Sequence, residues 1–399
     1  MLPTSRPALN PLVSRLYRGK TTSSSTSSIP KIAILDDYLN IATDHFAHLP
    51  RSKISLTAFT DSLPPYTHSS TTTTQKELLI TRLKPFTVLS AMRERTPFPA
   101  ELLRALPNLQ LILATGTQFE TFDLAAAREC GIIVTAAPGR GRTDSTSTKP
   151  RHPSIKAGAS HPTTQHTWAL ILALARNVAS DDAAMKDPTR QAWQTSLARG
   201  LYGKTLGVVG LGRLGGAAAR IAVLAFGMRV LCWSENLTQE KADRKAVELG
   251  LPLRDDSGAP TFMAVPKRDL FCKSDVVSLH YVLGERSRHL VSGPELGCMK
   301  KEALLVNTSR GGLIDDEALY DALVEGRIGG AALDVFDLEP LPRESYWRST
   351  EWGKDGRSNL LLTPHMGYVE EALMHTWYEE TAENLERWLE GKELLHRLA

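Results

Sequence analysis

"KTLGVVGLGRLGGAAARIAVLAFGMRVLCW", residues 204–233, is the stretch whose reading decides the fold. "LGVVG" has the character of a buried strand, and Gly210-Leu211-Gly212-Arg213-Leu214-Gly215 is G-x-G-x-x-G. A small-residue run suited to a helix follows, and "RVLCW" is a second strand. Each glycine has a physical task in such a unit. Gly210 permits a tight turn, Gly212 lets a pyrophosphate approach the backbone, and Gly215 lets helix and strand pack closely. Phosphates then sit on free N–H groups at the helix start, where the dipole favours negative charge. Alone, the glycine pattern is a weak signal. Inside a complete strand–turn–helix–strand unit it predicts a dinucleotide site that includes Arg213 and Leu214.

The rest of the chain sets the frame. Its 399 residues suffice for two domains with separate cores. Hydrophobic content of 42% and charged content of 23% are those of an ordinary soluble globular protein. No apolar run is long enough to cross a bilayer. The formal charge of +3 is concentrated in the leader: residues 1–31 carry five basic groups and no acid. The remaining body is nearly neutral, so nothing electrostatic points to nucleic acid. Cys130, Cys232, Cys272 and Cys298 lie far apart, which predicts a reducing compartment and no structural metal. "MLPTSRPALNPLVSRLYRGKTTSSSTSSIP" has the composition of a mitochondrial presequence, while Pro3, Pro7 and Pro11 suit a disordered tail equally. The compartment is therefore read as cytoplasm or mitochondrial matrix, and the protein as not secreted.

Ordered sequence begins at "KIAILDDY" (from Lys31), with "FTVLSAM" and "LQLILATGT" as further strands and "PAELLRAL" and "FDLAAAREC" as helices between them. Such alternation predicts α/β architecture with parallel sheets covered on both faces. Residues 139–162 are rich in Ser, Thr, Pro, Gly and basic groups and read as a long loop or disordered insertion. "TTQHTWALILALARNVAS" resumes as an apolar helix, and "VEEALMHTWYEETAENLERWLEG" closes the chain as an amphipathic one.

Three segments downstream each follow a strand-like run: "LLVNTSRGGLIDDEAL", "AALDVFDLEP" and "LLLTPHMGYVEEA". Ligands bind at the carboxyl ends of strands in open α/β sheets. Arg310 there suits a bidentate grip on a carboxylate, and His365 suits proton exchange near neutral pH. Glu339 suits bonding to the imidazole, fixing its orientation and favouring its protonated form. Taken singly, an arginine or glutamate is more often a solvated surface group, and a lone histidine more often structural. What tilts the balance is that all three follow strand ends in one chain with a dinucleotide turn. His152, His161 and His166 have no coherent metal-ligand spacing.

At these residues the chain resembles the D-isomer-specific 2-hydroxyacid dehydrogenases, of the phosphoglycerate dehydrogenase and glyoxylate/hydroxypyruvate reductase kind. The glycine turn, "VNTSRGGLID", "LDVFDLEP" and "TPHMG" carry the resemblance, which runs from about Lys31 to the C-terminus apart from 139–162. It implies two Rossmann-like domains with a cleft between them and a discontinuous substrate domain. The expected division is a leader to residue 30, a substrate domain over 31–162, an NAD-binding domain over 163–364, and a return helix over 365–399. It implies Arg310, Glu339 and His365 as the catalytic set. Thr308 and Asp334 fall on the cofactor, the latter bonding the nicotinamide amide. Thr115-Gly116-Thr117 falls on the loop that, with Arg310, binds substrate carboxylate through backbone N–H groups. The family's ribose aspartate falls on Ser234, with Glu235 one step later and twenty residues beyond Gly215. A serine bonds hydroxyl or phosphate alike, whereas Glu235 repels a 2′-phosphate. The expected cofactor is NAD, with NADP left open.

The implied activity is hydride transfer between a nicotinamide cofactor and a D-2-hydroxy or 2-oxo acid, in a homodimer. A dinucleotide-sensing, corepressor-like regulator with the same fold is the alternative. Formate dehydrogenase pairs its histidine with a glutamine, so Glu339 argues against it. The chain departs from the family pattern at Tyr368, where a second glycine is common, and at Gln165, usually a glutamate. With no added regulatory domain expected beyond the closing helix, a simple 2-oxo acid reductase is the expected activity, with 3-phosphoglycerate left open as a substrate.

Overall fold

The computed structural model describes residues 29–117, 119–144, 161–191, 193–194 and 196–399. The expectations for residues 1–28 and for most of the 139–162 insertion lie outside the described residues. Two all-parallel sheets form the framework. The first holds β1 (Lys31–Ile34), β2 (Ser55–Ala58), β3 (Val88–Ala91), β4 (Leu111–Thr115) and β5 (Ile133–Ala137) in the order β2-β1-β3-β4-β5. The second holds β6 (Thr205–Val209), β7 (Arg229–Trp233), β8 (Phe262–Ala264), β9 (Val276–Leu279), β10 (Leu304–Asn307), β11 (Gly330–Leu333) and β12 (Asn359–Leu362). Its order is β12-β11-β10-β9-β6-β7-β8.

Strand side chains alternate between faces, and that period sorts them into separate cores. Leu206 and Val208 of β6 enter one cluster and Val209 the other, as Leu304 and Val306 of β10 part from Leu305. In the first sheet Ala33 faces one cluster, while Ile32 and Ile34 face the other. Burial on both faces explains why these strands read as continuous apolar runs.

The helix Pro162–Ala175 packs Trp168, Ile171 and Leu174 beneath the second sheet. The apolar run expected to continue it breaks at Asn177, whose left-handed backbone (φ 56°) starts a second helix, Val178–Met185. Asparagine tolerates that conformation, and here its Nδ2 donates to Ser196 Oγ at 2.8 Å. The C-terminal helix Glu371–Leu389 follows the second sheet in sequence but packs Met374, Trp377 and Tyr378 on the first, against Leu111 and Leu113.

The start of the insertion is held by the C-terminal helix. Glu380 of the C-terminal helix accepts backbone N–H bonds from Gly139, Arg140 and Gly141, and Glu383 accepts that of Thr143. Residues 139–144 are thus tied down, and His161 already caps the helix that begins at Pro162. Among the described residues no helix is long and apolar enough to cross a membrane.

Candidate active site

Strand order in the second sheet reverses at β6, which has β9 on one side and β7 on the other. A crevice opens at the carboxyl end of such a switch point, and the glycine turn lies there. Gly210 has φ 97°, its N–H donates to Trp233 O at 2.8 Å, and a Cβ on it would overlap the His280 carbonyl. A Cβ on Gly215 would overlap the Gly210 carbonyl oxygen. These two glycines are demanded by the fold itself. Gly212 differs, since a Cβ there would meet nothing within 4 Å. It is the exposed N-cap of the helix Arg213–Phe226, and no side-chain cap satisfies the first N–H groups. That exposed helix start suits a pyrophosphate.

Ser234, half-buried, and Glu235, exposed, directly follow β7, and the Glu235 N–H donates to Tyr281 Oη at 3.3 Å. Arg213 is exposed and Leu214 half-buried at the helix start. Thr308 is turned inward, with its hydroxyl 2.8 Å from that of Thr167.

Asp334 follows β11 and is fully buried. Its Oδ1 accepts from Thr363 Oγ1 (2.6 Å) and Met366 N (2.7 Å) and meets His166 Nε2 at 3.1 Å. Its Oδ2 accepts from Gly367 N at 2.9 Å. Both oxygens thus bond to the 363–367 turn, and Oδ1 also meets His166. The turn needs that support. His365 has φ 55°, a left-handed backbone that costs a non-glycine residue about 1–3 kcal/mol unless its surroundings hold it.

Within the turn, His365 Nδ1 lies 2.7 Å from Glu339 Oε2. Glu339 also accepts the Phe336 N–H (2.9 Å) and is ion-paired to Arg95. Burial alone would raise the Glu339 carboxyl, but His365, Arg95 and the Phe336 N–H together bring it down to about 2. An ionised carboxylate only accepts hydrogen bonds, so the His365 proton facing it is on Nδ1 and Nε2 is left for the cleft. Burial lowers the His365 pKa below its ordinary 6.5, with Glu339 pulling upward and Arg95 adding to the fall. Glu339 favours the protonated ring, as expected, and burial opposes it.

Arg310 follows β10, where Asn307 shapes the turn by donating Nδ2 to Arg310 O (2.9 Å) and accepting the Ser309 N–H (3.0 Å). Its guanidinium bonds Ser309 O at 2.7 Å and is ion-paired with Glu94. Burial raises the Glu94 pKa, Arg310 lowers it, and a hydrogen bond shared with Glu120 raises it again. The arginine expected to hold a substrate carboxylate is thus already matched to a carboxylate of the chain.

The 115–117 segment also differs from expectation. Gly116 N–H donates to Ala137 O at 2.9 Å, and Thr115 Oγ1 accepts the Arg93 N–H at 2.9 Å. None of Thr115, Gly116 and Thr117 lines the cleft cavities beside His365. Arg93, Glu94 and Arg95 stand there instead. They were not among the expected site residues, although "MRERTPFP" places charged groups straight after β3, at the ligand end of a parallel sheet.

The description "D-isomer specific 2-hydroxyacid dehydrogenase, NAD binding domain" matches residues 168–367. A glyoxylate reductase of Korarchaeum cryptofilum is 33% identical over 320 residues, 79% of this chain and 84% of that protein. A D-3-phosphoglycerate dehydrogenase of Methanocaldococcus jannaschii is 33% identical over 79% of this chain but only 52% of its own length. The crystal structure of a phosphoglycerate oxidoreductase from Vibrio cholerae matches with a TM-score of 0.69 and 32% identity, over 91% of this chain and 99% of that one. The chain belongs to the D-isomer specific 2-hydroxyacid dehydrogenase family.

Asp334→Asn turns one acceptor into an amide donor facing the Gly367 or Met366 N–H. An unsatisfied buried pair costs about 1–3 kcal/mol, so the urea midpoint falls accordingly and amide exchange at 366–367 speeds up.

Proposed function

We propose that this member of the D-isomer specific 2-hydroxyacid dehydrogenases interconverts a D-2-hydroxy acid and its 2-oxo acid, with His365 as acid–base group, Glu339 as its positioning partner and Arg310 as carboxylate anchor. The carrying observation is the 2.7 Å contact between His365 Nδ1 and Glu339 Oε2, beside Arg95 and in a cleft shared with Arg310. The glycine turn Gly210–Gly215 would hold the dinucleotide, which would supply hydride in its reduced form and accept it in its oxidised form. The chain does the rest. The substrate carboxylate takes the place of Glu94 on Arg310, and Glu94, whose pKa burial raises, is released beside Glu120. His365 donates from Nε2 to the C2 oxygen in reduction and, neutral, removes the hydroxyl proton in oxidation. Glu339 stays ionised throughout, balances the imidazolium and holds the ring in one tautomer. Relatives bear enzyme names, which favours catalysis over the regulatory alternative.

The substrate unit is taken as 31–162 with the return of 365–399, and the nucleotide unit as 163–364; the two separate sheets support that division. Glu235, exposed at the tip of β7, supports NAD over NADP by repelling a 2′-phosphate. A homodimer through the nucleotide unit is supported by Val178, Met185, Trp193, Leu197, Tyr202 and Leu224, large apolar side chains left exposed on that unit. The acid-free basic leader supports cytoplasm or mitochondrial matrix.

His365→Ala lowers turnover at least about 100-fold in a spectrophotometric NADH assay, and near-normal turnover removes the assignment. Reduction needs the protonated ring, so kcat/KM for the 2-oxo acid falls as pH rises through a value below 6.5. In Glu339→Gln the upward pull is gone, and that descending limb moves to still lower pH. Glu235→Gln narrows the NADH over NADPH preference; an unchanged ratio leaves Glu235 as a plain loop acid. Leu197→Glu shifts the sedimentation mass from dimer towards monomer.

A further inference from the structure

Two cavities flank His365, and they differ in chemistry. One, of about 490 Å³, is lined by Arg93, Glu94, Glu120, Arg288 and Arg310. The other, of about 480 Å³, is walled by Met92, Phe336, Leu341, Tyr368, Val369 and Met374. They share Arg95, Phe336, Glu339, His365 and Tyr368. No residue of the glycine turn lines either.

A 2-oxo acid carries two groups on its reacting carbon, a carboxylate and a side chain. With the carboxylate on Arg310 in the polar cavity and C2 at His365, the side chain is directed into the apolar one. We propose that this second cavity receives the substrate side chain and selects 2-oxo acids whose C2 substituent is branched-aliphatic or aromatic. This rests on the oxidoreductase reading above.

Size and charge support that choice. A dry cavity of about 150 Å³ already accepts a benzene ring, and this one is about three times larger. Glyoxylate has no side chain and would leave the apolar walls unused. A phosphorylated side chain would bring a dianion among mostly apolar walls, where the cations are Arg95 and Arg348. Arg95 is paired with Glu339, and Arg348 Nη2 donates to Leu341 O at 3.0 Å. Asp36 and Asp37 stand at the same wall, held by Thr96 Oγ1 (2.9 Å) and by the Ile41 and Ala42 N–H groups (both 3.1 Å). Two buried carboxyls there oppose a dianion.

The test is a kcat/KM series on the full chain with NADH and glyoxylate, pyruvate, 4-methyl-2-oxopentanoate, phenylpyruvate and 3-phosphohydroxypyruvate. Phenylpyruvate and 4-methyl-2-oxopentanoate are expected to exceed glyoxylate and 3-phosphohydroxypyruvate by roughly 10-fold or more, the scale of one hydrophobic contact in a pocket. Val369→Phe, which fills the cavity, lowers the phenylpyruvate-to-glyoxylate ratio by a similar factor. If that variant does not fold, the unaltered chain decides by the substrate series alone. Glyoxylate or 3-phosphohydroxypyruvate turned over as well as the apolar acids overturns the side-chain assignment and leaves the oxidoreductase reading standing. No NADH oxidation with any of the five removes both.

Discussion

A parallel sheet buried on both faces leaves little surface for chemistry except its carboxyl edge. Here two such sheets meet with those edges turned to one cleft, and the residues that line it come from strand ends. Arg93 to Arg95 follow β3, Arg310 follows β10, Glu339 lies beyond β11 and His365 follows β12. The glycine turn follows β6 at the point where the strand order reverses. Backbone hydrogen bonding sets this arrangement, so loops could diverge in sequence while the edge stayed in place.

Within the cleft, a buried carboxylate does the structural part and a half-shielded one the electrostatic part. Asp334 gathers the N–H groups of Met366 and Gly367 and so holds His365 in a backbone conformation it would otherwise avoid. Glu339 then orients the ring thus presented. The two acids differ in environment more than in chemistry. Asp334 is sealed from solvent with both oxygens occupied, whereas Glu339 shares one oxygen between an imidazole and a guanidinium. The result is a histidine whose proton is balanced between burial, which expels it, and Glu339, which retains it. A group poised in that way suits proton transfer in both directions.

Charge in the cleft is self-compensating. Glu94 lies on Arg310 and Glu339 on Arg95, so each arginine has an internal carboxylate partner. An entering carboxylate meets cations already desolvated and oriented, and the cost is the release of one internal partner. Burial and the neighbouring Glu120 raise the Glu94 pKa, which eases that release.

Much of this was legible in the chain itself. The G-x-G-x-x-G inside its strand–helix–strand unit determined the second sheet's nucleotide crevice, because no side chain fits at Gly210 or Gly215 whatever surrounds them. Apolar runs at regular spacing determined the parallel sheets, and polar residues just past those runs determined Arg310, Glu339 and His365 as candidates. Tertiary structure decided what pairs with what. Spacing along the chain does not tell that Arg95, 244 residues before Glu339, completes its partner set. Nor does it tell that Gly116 turns its N–H to Ala137 and that Asp334 is enclosed by a distant turn. The acids Glu380 and Glu383 of the closing helix are buried because the 139–143 backbone comes round to donate to them. Local sequence dictates backbone conformation and which face is apolar; burial and hydrogen-bond partners, which set each group's charge, depend on segments brought together only when the two sheets close on one another.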